Sequence, residues 1–271
     1  MTTRARPRLT AAVIALDEER MLGDCVRSLE FADERLVLVD AATRDRTREI
    51  ARGLGARVEE RAFDTFAAQR DAALTLATGE WVLFVDADER VSVDLQTEVR
   101  ASIDQPGGCR GFWIPRDNYL MGRVIRHAGW FPDYQLRLIE RGAARFDPVR
   151  LVHERAVVDG PVGYLRAPLV HFNYRSLAEF IVKQERYCPL EAQRWLFQFG
   201  RPRLRALVGQ PIREFWRRYI RLRGFREGWL GLVLSGLLAY YAGKAVWLAR
   251  RATTGQPPAT RQPSSRLEPG R

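Results

Sequence analysis

Three short apolar runs, each stopped by an aspartate, constrain this chain more than any other feature. Leu9–Leu16 stops at Asp17, Arg35–Val39 at Asp40 and Trp81–Val85 at Asp86. Runs of this length, rich in Val, Ile, Leu and Ala and lacking polar alternation, read as strands buried on both faces. Between them the period changes. Glu18–Phe31 sets Met21, Leu22, Cys25, Val26 and Leu29 on one helical face. Thr43–Leu54 and Phe66–Ala77 are further helical stretches, Arg57–Glu59 is a short strand, and Gly79 is expected as a left-handed helix cap. Strands alternating with helices predict an α/β fold with a mostly parallel central sheet covered on both faces. In such sheets ligands bind beyond the carboxyl ends of the strands.

Asp17, Asp40 and Asp86 all fall at such ends. Each singly is as good a helix N-cap as a functional group, and the row they form carries the weight. The third run continues into Asp86-Ala87-Asp88. Two carboxylates beyond a strand end can share a divalent cation with diphosphate oxygens, and hard oxygen ligands select Mg²⁺ or Mn²⁺.

After Asp88 the texture changes to shorter segments. Gly111–Pro115, Gln135–Glu140, Leu151–Val158 and Leu169–Phe172 read as strands separated by Gly and Pro, and Leu177–Phe199 reads as a helix. Length and composition, 271 residues of which 46% are hydrophobic, suit one α/β domain with an appendage. The expected division is a catalytic domain over 1–193, split into a donor half (1–90) and an acceptor half (91–193). A helical arm follows over 194–252, and then a disordered tail over 253–271.

The net charge of +11 suggests a nucleic-acid partner until its distribution is read. From Arg194 onward only Glu214, Glu227 and Glu268 oppose a long series of arginines and Lys244, so the whole surplus sits there. A polyanion groove needs basic side chains throughout the folded body, so nucleic acid is not expected. Arg213–Arg226 interleaves Phe215, Trp216, Tyr219, Ile220, Leu222 and Phe225 with arginine, the pattern of a helix at an anionic membrane surface. Trp229–Ala249 approaches a spanning length but contains Lys244 and three glycines, so a monotopic anchor is favoured over a single span. A helical hairpin packed on the catalytic domain or on a second subunit is the alternative.

Cys25, Cys109 and Cys188 are odd in number and in no CxxC spacing, so neither a disulfide framework nor a zinc site is indicated. Met1–Leu9 is polar and the apolar stretch after it is too short for a signal-peptide core. The cytoplasmic side of the inner membrane is the expected location.

The sequence resembles family 2 glycosyltransferases of the GT-A fold, and it does so in order along nearly the whole chain. The resemblance rests on Ala12–Glu19, on Leu38-Val39-Asp40 with Thr43–Thr47, on Gln69–Ala73 and on Gly79–Glu89. Gly129–Leu138, Val152–Arg155 and His171–Ser176 are similar to the branch that includes lipopolysaccharide core β-glucosyltransferases. The resemblance implies a Rossmann-like GT-A sheet. It also implies inverting transfer of a sugar from a nucleotide diphosphate donor to a lipid-linked saccharide, such as the lipopolysaccharide inner core.

Site roles follow position by position from the same resemblance. Asp40 matches the residue that contacts the nucleotide base, Arg70 the arginine near the nucleotide, Asp86 the ribose- or metal-side carboxylate and Asp88 the metal ligand. Asp17 joins the nucleotide-sugar set as the first of the strand-end row, and His171 or His153 completes the metal shell. Asp133 stands where the family has an acidic pair near the acceptor and is the expected base, with Glu154 as rival. Arg116, Arg126 and Arg137 offer forks that match phosphate oxygens, with solvated surface arginines as the alternative reading. Ala15 and Asp17 replace the family's Thr and Asn, and Ala41–Asp45 replaces a Ser-Gly-Ser-Thr-Asp stretch, so the nucleotide's identity is open. Two other readings stand beside this one: transfer to a polyprenyl phosphate, which needs no strong base, and a non-enzymatic nucleic-acid or scaffold module using the basic arm.

Overall fold

The computed structural model describes residues 8–146 and 156–253. Glu154 and His153, and the tail from residue 254, lie outside them. The chain forms two compact units, one ending at Ser176 and the other beginning at Leu177.

The first unit starts with the expected alternation: β1 (Leu9–Ala15), α1 (Leu22–Ser28), β2 (Glu34–Asp40), α2 (Thr47–Gly53), β3 (Arg57–Arg61), α3 (Phe66–Leu76) and β4 (Trp81–Phe84). It continues through β5 (Glu89–Val91), α4 (Val93–Asp104), β6 (Gly111–Leu120), β7 (Arg123–Ile125) and β8 (Asp133–Glu140). β9 (Ala144–Phe146), β10 (Ala156–Val158), β11 (Val162–Tyr164) and β12 (Leu169–Tyr174) complete it. The main sheet runs β3-β2-β1-β4-β8-β6-β12-β5. β3, β2, β1 and β4 pair in parallel, whereas β8 enters antiparallel to β4 and β6, and β5 antiparallel to β12. The sheet is therefore parallel where helices connect the strands and mixed beyond β4.

Alternate residues of the strands feed two cores. Leu9, Ala11 and Val13 of β1 join Leu22, Cys25 and Val26 of α1 and Leu95, Val99 and Ile103 of α4. Ala12 joins Leu36, Leu38, Val82 and Phe84 under Ala73 and Leu74 of α3. Each fully buried Leu or Phe contributes about 1.5–3 kcal/mol, which is why these strands carry no polar alternation.

Three local expectations change. The α1 helix begins at Leu22, not near Glu18, because the Glu18 amide donates to Thr47 Oγ1 (2.8 Å) and draws the preceding loop toward α2. α4 was not anticipated, although Ser92 caps it and its Leu95, Val99 and Ile103 recur every fourth residue. Gly79 is not a left-handed cap, since its φ is not positive. It is small because a Cβ there would lie 2.6 Å from the Thr10 amide nitrogen, where the chain crosses β1 to start β4. Gly79→Ala should therefore destabilise by about 1–3 kcal/mol through overpacking, read as a lower urea midpoint with unchanged slope.

The second unit holds α5 (Leu177–Phe199), α6 (Leu204–Phe215), a π-helical turn over Trp216–Arg221 and α7 (Gly228–Ala252). α7 packs along α5 and α6, and its Lys244 and Tyr241 meet Glu185 of α5. Gly224–Ala252 is long and apolar enough to cross a bilayer by length and composition.

Candidate active site

The sheet order places β2, β1 and β4 side by side, so Asp40, Asp17 and Asp86 sit at or just past three neighbouring strand ends. Their side chains do different things. Asp17, held at φ 52°, accepts from the Arg44 amide (2.8 Å) and so ties the loop after β1 to the loop after β2. Asp45 strengthens that tie by accepting from the Glu19 amide (2.9 Å). Asp40 is buried and accepts from the Ala42 amide (2.9 Å), which turns the chain sharply at the end of β2. The Arg70 guanidinium lies over the Phe84 and Phe146 rings and donates to Asp86 Oδ1 (3.4 Å).

Asp86 opens a ladder of alternating charge. Arg137 grips both of its carboxylate oxygens and also donates to Glu89 Oε1 (3.2 Å). Arg116 donates to the same Glu89 oxygen (3.4 Å) and through two nitrogens to Asp133 Oδ2. Glu89 is 0% exposed and Arg137 2%. Burial opposes the charges of both Asp86 and Arg137, and their mutual attraction outweighs it. Asp86 is thereby held well below the usual carboxylate range and Arg137 above the usual arginine value. Glu89 was legible only as the residue after the D-x-D triplet; that it faces inward shows only once β5 is seen to pair with β12.

The second member of the triplet faces elsewhere. β5 pairs antiparallel with β12, bringing His171 opposite Glu89 and the Phe172 amide onto the Asp88 carbonyl (2.9 Å). His171 Nε2 then lies 3.4 Å from Asp88 Oδ2, and its Nδ1 lies 2.7 Å from Asn118 Oδ1. Asn118 has its amide nitrogen on the Trp130 carbonyl (2.9 Å) and on Asp133 (3.4 Å), so the oxygen facing His171 is an acceptor. Nδ1 must therefore carry the proton. A neutral His171 turns its Nε2 lone pair toward a carboxylate, and two acceptors so placed attract each other only through a proton or a cation between them. This is the orientation an outer-shell partner imposes on a metal-ligating histidine.

Among the described residues no group of three or more His, Cys, Asp or Glu is placed to hold a metal ion. Asp88 and His171 offer two protein ligands, which suits a cation that takes its remaining ligands from phosphate oxygens and water. Asp86, expected at the cation, instead gives its oxygens to Arg137 and Arg70.

Asp133 has its Oδ2 on Arg116 and its Oδ1 on Gln135 (2.8 Å). Burial raises its proton affinity, but Arg116 prevails and holds it below the ordinary range. It is an anion over the neutral range, with its oxygens already engaged. The rival base Glu154 is outside the described residues. Of the three arginines read as phosphate forks or surface residues, Arg137 and Arg116 serve the ladder, and the exposed Arg126 pairs with Asp117 (2.7 Å). Sequence reading missed Asn118 and Glu18.

Glu18, in the loop after β1, is pushed up to about 7 by burial, with Asp88 and Asp45 adding to it. Its folded value exceeds its ordinary 4.5, so the stability it contributes is full below that pH and is lost as pH rises through about 7. Glu18→Gln should remove this slope, gaining stability relative to wild type near pH 8 and not near pH 5, in thermal unfolding scans in chelator.

The mixed sheet with helices and an acidic row along its strand ends is a GT-A-like α/β domain. The model of glycosyl transferase family 2 matches residues 10–151, and the chain belongs to that family. One relative is the lipopolysaccharide core biosynthesis glycosyltransferase LpsC of Rhizobium meliloti (strain 1021), 33% identical over 247 residues, covering 85% of this chain and 90% of that one. Among solved structures, S. aureus TarS 1–349 in complex with UDP-GlcNAc aligns with a TM-score of 0.47 at 16% identity, over 90% of this chain and 89% of that one. Mycobacterium tuberculosis glucosyl-3-phosphoglycerate synthase with Mn²⁺, UDP and glucosyl-3-phosphoglycerate gives 0.43 at 17% identity, over 73% and 82%.

Proposed function

We propose that this glycosyltransferase moves a sugar, with inversion, from a nucleotide diphosphate donor to a lipid-linked saccharide at the cytoplasmic face of the inner membrane, in lipopolysaccharide core assembly. The acceptor class and pathway rest on the likeness to LpsC over most of both chains. The observation that supports the donor chemistry is the Asp88–His171 pair, a carboxylate oxygen and an imidazole nitrogen 3.4 Å apart beyond a strand end.

Asp88 and His171 would hold Mg²⁺ or Mn²⁺, which when bound neutralises charge on the departing diphosphate. Asn118 orients His171 for this. Asp40, at the end of β2, is placed for the nucleotide base, with Asp17 tying down the adjoining loop and Arg70 and Asp86 flanking the nucleotide. Holding two substrates in one cleft contributes several kcal/mol of the rate enhancement. On the acceptor side, Tyr119 and Phe172 pack with ring centroids 5.3 Å apart in the wall of a cleft of about 350 Å³ that Arg90 and Arg175 also line. An aromatic wall of this kind suits the C–H face of a sugar ring.

The test is a panel of nucleotide sugars scored for Mn²⁺-dependent protection against thermal unfolding, with Asp88→Ala as control. Absence of protection by every donor, or equal protection of Asp88→Ala, sinks the proposal. For the acceptor's proton, Asp133 and Glu154 are the proposed bases. Asp133→Asn that binds donor but does not turn over assigns the base to Asp133, and retained turnover passes the role to Glu154. Turnover surviving both Asp133→Asn and Glu154→Gln would favour a phosphate acceptor such as a polyprenyl phosphate.

A further inference from the structure

In the second unit, α6 leaves its most apolar row in solvent. Leu204, Val208, Ile212 and then Trp216 recur every fourth residue and are each 62–66% exposed, and no residue of α6 is buried. The rows to either side differ. On one, Pro211 packs on α7, where a Cβ on Gly243 would lie 3.3 Å from the Pro211 ring. On the other, Arg205 and Arg213 stand in the wall of a pocket of about 680 Å³, with Arg201, Arg203, Trp195 and Phe199 around it. No carboxylate is among the residues lining that pocket.

An apolar row of this length is covered by something in a working protein. A polyanion such as nucleic acid would answer the arginines and leave the row in water. An apolar protein surface would cover the row and leave the guanidinium groups without countercharge. A layer of phosphates above acyl chains offers both, side by side, over the length of a helix. Guanidinium forks match phosphate oxygens, and Trp216 suits the headgroup level.

We infer that α6 docks flat on an anionic phospholipid bilayer. Leu204, Val208, Ile212 and Trp216 enter the headgroup–acyl boundary, and the pocket of Arg201, Arg203, Arg205 and Arg213 takes lipid phosphates. This deepens the membrane reading above and rests on it, while the transferase chemistry does not depend on it. The proposed row starts at Leu204, within the 194–252 arm and ahead of the Arg213–Arg226 stretch.

The test is co-sedimentation of the full chain with phosphatidylcholine vesicles, with or without phosphatidylglycerol. Wild type should bind the anionic vesicles preferentially, and added salt should weaken the binding. Val208→Asp with Ile212→Asp should lower that binding at least about tenfold. Arg205→Gln with Arg213→Gln should weaken it roughly fivefold per arginine and reduce the preference for anionic vesicles. These side chains are solvent-exposed, and both variants should keep the wild-type circular dichroism spectrum and donor protection. Equal binding to neutral vesicles overturns the inference, as does wild-type binding by the Asp variant. Loss confined to the arginine variant, with the Asp variant binding as wild type, would mark a polyanion site and overturn it too. Failure of donor protection with the vesicle pattern intact would remove the transferase chemistry and leave the docking in place.

Discussion

Arg137→Met is expected to cost the fold about 3–5 kcal/mol, read as a fall in the urea midpoint, with donor binding lost where the protein remains folded. The expectation follows from two buried charges, Arg137 and Glu89, set beside a part-exposed Asp86. Arg137 binds both oxygens of Asp86 and one oxygen of Glu89, and Glu89 has no exposed surface. Removing the guanidinium leaves the buried Glu89 carboxylate and the part-exposed Asp86 with only the 3.4 Å contacts from Arg116 and Arg70. Methionine keeps the volume and removes the countercharge, so the loss is electrostatic and not a cavity effect. Lysine would be a poor substitute, because one ammonium cannot span Asp86 and Glu89 together. The decisive control is the triple variant Arg137→Met, Asp86→Asn, Glu89→Gln, which removes the stranded charges and should recover much of the lost stability. No recovery would mean that Arg137 acts through packing and that the ladder is incidental.

The parallel half of the fold was legible because its signals are local. An apolar run followed by an acid shows a buried strand and its end in adjacent residues, and β1, β2 and β4 appear where the runs predict them. The position of Asp88 just beyond a strand end was legible for the same reason. The ladder was not, because its members come from β4, β5, β6 and β8, and only the register of β8 against β4 and β6 brings Arg137 and Arg116 between the carboxylates. Sequence shows that arginines are abundant, with only Lys183 and Lys244 among the 44 Lys and Arg residues, but not which of them are buried. Gly79 illustrates the same limit. Its position after a helix suggested a cap, whereas the constraint is the neighbouring Thr10, far away in the chain.

Asp88→Asn should do the reverse of Arg137→Met: turnover should fall at least about a hundredfold while stability stays within about 0.5 kcal/mol of wild type. Asp88 is partly exposed beyond the strand end and carries no buried pairing that the fold needs, so its loss leaves the core as it was. His171→Gln should lower activity less and shift the Mn²⁺ concentration needed for half-maximal donor protection upward, since one of the two proposed protein ligands goes. Asn118→Ala should reproduce part of that shift, about 10–100-fold in apparent cation affinity, although Asn118 is one residue removed from the cation. The reason is tautomeric. Without the Asn118 oxygen the proton on His171 is free to move to Nε2, where it would pair with Asp88 and close the site to a cation. A chelator should abolish turnover in all four proteins, and added Mn²⁺ should restore it in the order wild type, Asn118→Ala, His171→Gln and last Asp88→Asn. Full activity of Asp88→Asn after chelation would separate this site from the transfer reaction.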